Sequence, residues 1–138
     1  LGKVRALTYL GKPLDAIATA DRLIAARWYV GDARYWRALN ESELERNDEA
    51  WTDVELADKL LVNADVPKLA GLIAYRRREL DVSRGKFELA NKRNPNDCET
   101  GYYLGIVLAV ALLLVSEVVK LVLRHRSPGT GPAKPAQA

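Results

Sequence analysis

Three consecutive arginines, Arg76-Arg77-Arg78, are the part of this 138-residue chain best suited to binding chemistry. A guanidinium makes paired, charge-assisted hydrogen bonds to a carboxylate. Lys68, Tyr75 and Arg76 fall on one helical stretch, and Arg34 and Arg37 fall on an earlier one. Together the five would line a basic groove for an acidic peptide or the C-terminal carboxylate of another protein. A plainer reading accounts for the same run, because cations at a helix C-terminus are favoured by the macrodipole. Both stay open at this level.

The remaining reactive side chains are sparse. His125 is the single histidine and sits between Arg124 and Arg126, which suits a solvated helix end better than a metal site or a triad. Cys98 is the single cysteine, so no internal disulfide forms. It lies in the first turn of a helix, where the dipole lowers a thiol pKa; a redox sensor and a simple capping-region residue are the two readings. The acidic series Glu41, Glu43, Glu45, Asp48, Glu49, Asp53, Glu55 and Asp58 reads as the solvated side of helices rather than a metal site. No glycine-rich phosphate loop, Cys-x2-Cys pair or His-Glu-x2-His motif occurs. The expectation is a non-enzymatic chain with no cofactor and no metal.

Charge is unevenly placed. The net charge is +3, yet residues 1–40 carry +4, 41–65 carry −7, 66–97 carry +4 and 98–138 carry +2. Alternating fields suit units that attract one another, and the −7 segment argues against nucleic acid as the partner. The chain has no methionine, and it opens near the end of a helix, so a piece of a longer or processed protein is expected.

What must position these residues is a repeated frame. Ser83, Phe87 and Ala90 share one helix face, and Pro95 follows. Ala50, Val54 and Ala57 stand 33 residues earlier, and Ala16, Ala20 and Leu23 stand 34 residues before those. Small residues at i, i+4 and i+7 let a second helix come close. Trp36 and Leu39 open one unit, Ala70-Gly71 supply a small pair in the next, and Leu104-Gly105 echo it. On these residues the chain resembles tetratricopeptide-repeat proteins over about residues 1–108. The resemblance implies an all-α, TPR-like α-solenoid of antiparallel helix pairs. It also implies a concave groove, lined by first helices, that holds a peptide or helix of another protein. Units of about 1–32, 33–65 and 66–97 make up a repeat region, 1–100. Asn40 stands where the family prefers glycine, which implies looser contact there.

Within the units, helices are expected over 3–10, 14–28, 33–44, 49–61, about 66–80, 82–92 and from 98 onward. Pro13 suits a first turn. Asp32, Asp48 or Asn47, Asp81 and Asp97 are the expected N-caps.

The final helix outgrows the repeat pattern. Residues 102–123 are almost wholly apolar and would rise about 33 Å, enough for a bilayer core of about 30 Å. Tyr102 and Tyr103 would mark one interface and Arg124–Arg126 the other. Gly105 and Ala109 form a small-x3-small pair for helix packing. Glu117 and Lys120 oppose insertion, at about 2.5–3.5 kcal/mol each near a helix centre, less if paired. A membrane span is favoured, and docking into a protein partner, with the chain in the cytoplasm, is the alternative. The Arg124–Arg126 cluster favours a cytosolic tail and a tail-anchored layout would give the reverse, so the orientation stays open. Residues 127–138, rich in Pro, Gly and Ala, read as a disordered tail. The expected function is a protein–protein adaptor or scaffold within an assembly. The alternative is a regulatory or substrate-presenting segment of a larger enzyme.

Overall fold

The computed structural model describes residues 1–126, so the expected disordered tail, 127–138, lies outside the described residues. Within them the protein is all-α, with seven helices and no strand. These are α1 Gly2–Tyr9, α2 Pro13–Ala25, α3 Val30–Glu43, α4 Asn47–Leu60, α5 Asp65–Arg76, α6 Leu80–Arg93 and α7 Cys98–Arg126.

Local chemistry sets the helix ends. Pro13 opens α2, where its absent N–H leaves no bond unmade. Asp97 caps α7: its Oδ1 accepts from the Glu99 amide at 3.1 Å, and its Oδ2 accepts from the Thr100 hydroxyl at 2.8 Å. Three expected caps move inside their helices. Asp32 lies in the first turn of α3, which begins at Val30 after Tyr29 adopts φ 47°. The helix starts early because Gly31 is buried against α4; a Cβ there would meet Leu61 at 3.0 Å. Asp81 likewise sits in the first turn of α6, which begins at Leu80. Asp48 falls in the first turn of α4, which starts at Asn47.

The backbone repeats a turn. Gly11, Glu45 and Arg78, with φ of 67°, 60° and 63°, close α1, α3 and α5 in the left-handed conformation. At each, the residue's own amide donates three residues back, and the next amide donates five back. Arg78 bonds the Tyr75 carbonyl at 2.9 Å and Glu79 bonds that of Ala74 at 2.9 Å; Glu45 and Arg46 do the same to Ser42 and Glu41. This is the Schellman closure. Arg27, at φ 58°, closes α2 in the same way, its amide bonding the Ile24 carbonyl and that of Trp28 bonding Leu23. Only the closures of the odd helices α1, α3 and α5 fall at nearly the interval of the small-residue frame.

Each helix packs on the one before and the one after it. The backbones of the odd helices also approach one another, α1 with α3, α3 with α5 and α5 with α7. The even helices α4 and α6 meet through side chains instead: Lys86 and Arg93 of α6 pair with Asp58 of α4 at 3.3 and 3.1 Å. All nine frame residues except Leu23 are buried. The main core joins Ala38 of α3, Ala50, Val54 and Ala57 of α4, and Val66, Leu69, Ala70 and Ile73 of α5. Asn40 is no loose contact: it is buried, and its Nδ2 donates to Thr8 Oγ1 at 2.8 Å and the Trp36 carbonyl at 2.7 Å, tying α3 to α1.

Candidate functional site

The five residues expected to share one basic groove are divided among three places. Arg34 and Arg37 project from α3 towards Asp53 of α4, which is only 2 % exposed. Arg34 Nη1 and Arg37 Nη2 each donate to Asp53 Oδ1 at 2.7 Å, and Arg37 Nε donates to Oδ2. Arg37 Nη1 reaches Asp21 Oδ1 of α2 at 2.7 Å. Three helices are thus joined by one ionic network. The Asp53 hydrogen bonds raise the already high Arg37 pKa further. Both guanidiniums have their charge neutralised by Asp53.

This corrects the reading of the acidic series as wholly solvated. Asp53 and Glu41 are buried, and only the others keep access to water. Burial, with the neighbouring Asp53 carboxylate, pushes the Glu41 carboxyl up to about 7. Its Oε2 has no hydrogen-bond partner among the described residues. Because the folded-state value exceeds the ordinary 4.5, the folded form holds the extra proton, and stability falls as pH rises from about 4.5 through 7. The loss should be about 1–2 kcal/mol after allowance for screening. Urea melts from pH 4.5 to 8 should show it, and Glu41→Gln should remove that slope.

Lys68 occupies a second place. Its Nζ bonds Asp97 Oδ2 at 3.0 Å and also Glu99, so α5 is fastened to the start of α7. Burial alone would lower the ammonium pKa, but the bonds to Glu99 and Asp97 outweigh it and raise it. The Thr100 hydroxyl, with Lys68, holds the Asp97 carboxyl down to about 2. Lys68 also lines a small groove of about 170 Å³ between α3 and α5, with Tyr35, Leu39, Asp65, Leu69 and Leu72. Burial, with Asp65 beside it, pushes the Tyr35 hydroxyl up to about 12. This groove lies between two odd helices, and its walls are mainly aromatic and aliphatic.

Tyr75 and Arg76 form the third place. Arg76 Nη1 donates to the Ser42 carbonyl at 2.7 Å and to Ser42 Oγ at 2.6 Å. Arg77 lies over the Trp51 ring at 5.2 Å and pairs with Glu79 at 2.9 Å. Arg78 has no carboxylate partner among the described residues. Tyr75, Arg76, Arg78 and Leu80 face Val110 and Leu114 of α7 across a groove of about 390 Å³.

The apolar stretch 102–123 also divides. Tyr103 stacks on Phe87 with ring centroids 5.7 Å apart, and Val107 is buried, so its first part belongs to the packed helices. Tyr103 is therefore not free to mark a bilayer surface. From Leu112 to Arg126 every residue is exposed, Leu112 by 71 %. By length and composition α7 is sufficient to cross a membrane. Gly105 and Ala109 lie exposed, with nothing within 4 Å of a Cβ built on Gly105. Glu117 and Lys120 pair at 3.0 Å on the exposed part. Cys98 is exposed, as is His125 in the last turn of α7.

Sequence reasoning read Asp53 and Glu41 as solvated and Asn40 as a looser contact, and all three are buried. A signal existed for Asp53: it shares the Ala50, Val54, Ala57 face and so points inward on a helical wheel. No protein-family model matches this chain, and no curated protein matches it.

Proposed function

We propose that this chain is a non-enzymatic adaptor, built of tetratricopeptide-like helix pairs stacked as a short solenoid and anchored in a membrane by α7. The observation that carries the reading is a pair of features on one chain. One is the turn that recurs at Gly11, Glu45 and Arg78, with contacts between successive odd helices. The other is the exposed apolar half of α7, with Leu112, Leu113 and Val118 each more than half exposed. Monomeric soluble proteins seldom leave such a contiguous apolar surface uncovered.

The odd helices would form the inner, ligand-holding side, because their backbones approach one another, whereas α4 and α6 are linked through the Asp58 ion pairs of their side chains. The groove between α3 and α5 offers Leu39, Leu69 and Leu72 to an apolar anchor of a partner peptide or helix. Asp65 and Lys68 stand beside it as polar guides. Partner recognition on this face rests more on apolar anchoring than on the acidic peptide first expected, since Arg34, Arg37 and Lys68 are neutralised within the fold.

A second reading is favoured by one observation: the Glu117–Lys120 pair is carried halfway along the exposed apolar surface. Docking of α7 against another protein would accommodate that pair at less cost than a bilayer.

Flotation separates the two. The full chain should rise with phosphatidylcholine vesicles, whereas a chain ending at Ala111, which keeps Tyr103 and Val107, should stay behind. A full chain that remains a detergent-free soluble monomer would overturn the anchor.

A further inference from the structure

We propose that Arg76 and Arg78 bind the phosphate of an anionic phospholipid, with an acyl chain lying along Leu80, Val110 and Leu114. This rests on the membrane reading of α7 and adds where the headgroup layer meets the protein.

The geometry of α7 supplies the first support. The exposed apolar residues 112–123 rise about 18 Å, less than the roughly 30 Å of a bilayer core. Burying them therefore draws the end of the helical domain down to the membrane surface, and local thinning absorbs the rest. The part of the domain beside α7 at that level is the α5–α6 turn, because Tyr75, Arg76, Arg78 and Leu80 share a groove with Val110 and Leu114.

Chemistry supplies the second. The groove floor is aliphatic and its rim carries two guanidiniums, the combination that an acyl chain and a phosphate present in reverse. Arg76 uses Nη1 on Ser42, leaving its other donors, and Arg78 has no carboxylate partner among the described residues. Glu43 and Glu45 line the cavity on the other side of Arg76, so Arg78 is the stronger contact. Glu79 is engaged by Arg77. A second copy of α7 is the weaker occupant, for it would bring Lys120, Arg124 and Arg126 towards two arginines.

The test uses the full chain and two vesicle types, phosphatidylcholine alone and phosphatidylcholine mixed with phosphatidylglycerol. Flotation should be stronger on the mixed vesicles, and Arg78→Gly should lower that preference about fivefold. Glycine is at ease at φ 63°, so this variant removes the guanidinium without backbone strain. Arg76→Gln should lower it less, and Arg22→Gln, an exposed charge on α2, should leave it in place. Equal flotation on both vesicle types would overturn the phosphate site while leaving the anchor standing. So would a preference that survives Arg78→Gly, or one that Arg22→Gln reduces as much. Flotation on neither type would remove the anchor reading and this inference together.

Discussion

Asp53→Ala is expected to lower stability by about 3–5 kcal/mol, because it strips the shared carboxylate from two partly buried guanidiniums. Arg37 would keep Asp21, half in water, and the more distant Glu41 as charge partners, and Arg34 would keep no carboxylate partner among the described residues. A loss of this size is a large fraction of the 5–15 kcal/mol that ordinarily holds a domain together. It would appear as a drop in the urea midpoint at pH 8. The variant should also change the pH profile. Glu41 lies 3.9 Å from Arg37 Nε, and its carboxyl is raised by burial and by the Asp53 charge. Without Asp53, Glu41 would ionise more readily and serve Arg37 in its place. The decline in stability between about pH 4.5 and 7 should then shrink. A cost below about 1 kcal/mol, of the size found for exposed pairs, would show that the network is merely decorative.

Phe87→Ala should be comparably severe, at about 3–5 kcal/mol. Phe87 is 1 % exposed, fills the space left by Gly71 on α5, and stacks on Tyr103 of α7. Its loss opens a cavity at the point where α5, α6 and α7 meet, so the packed part of α7 should loosen first. Hydrogen exchange at Tyr103–Val107 would report that loosening. Glycine substitutions give the complementary test. A Cβ on Gly71 would lie 2.8 Å from the Phe87 ring, so Gly71→Ala should destabilise by about 1–3 kcal/mol despite alanine's better helix propensity. Gly85 lies on α6 with nothing within 4 Å of such a Cβ, so the same change there should stabilise by about 0.5–1 kcal/mol. Opposite signs for one chemical change would fix the α5–α6 approach as the cause. Equal signs would sink that account.

Much of the scaffold was legible beforehand because its determinants are local. Ala50, Val54 and Ala57 announce a buried face through their spacing alone, and Asp97 announces a helix start through its own side chain. Boundaries were less legible where a neighbouring helix intervened. Asp32 has the chemistry of a cap, yet the packing of Gly31 on Leu61 carries α3 back to Val30. Candidate site residues were the least legible. Arg34, Arg37 and Lys68 look like free cations in one dimension, and each finds a carboxylate on another helix.

The sequence by itself determined that the protein is helical, where small side chains recur, and that its last helix is apolar enough to enter a membrane. Those properties are written in the order of residues along single helices, at separations of three to seven positions. Tertiary structure alone decided which charges are neutralised, that Asn40 bridges to Thr8, and where α7 leaves the domain. Each of those depends on atoms from helices distant in sequence coming within a few ångströms, and Coulomb and hydrogen-bond energies at that range are fixed by packing, which no single helix encodes.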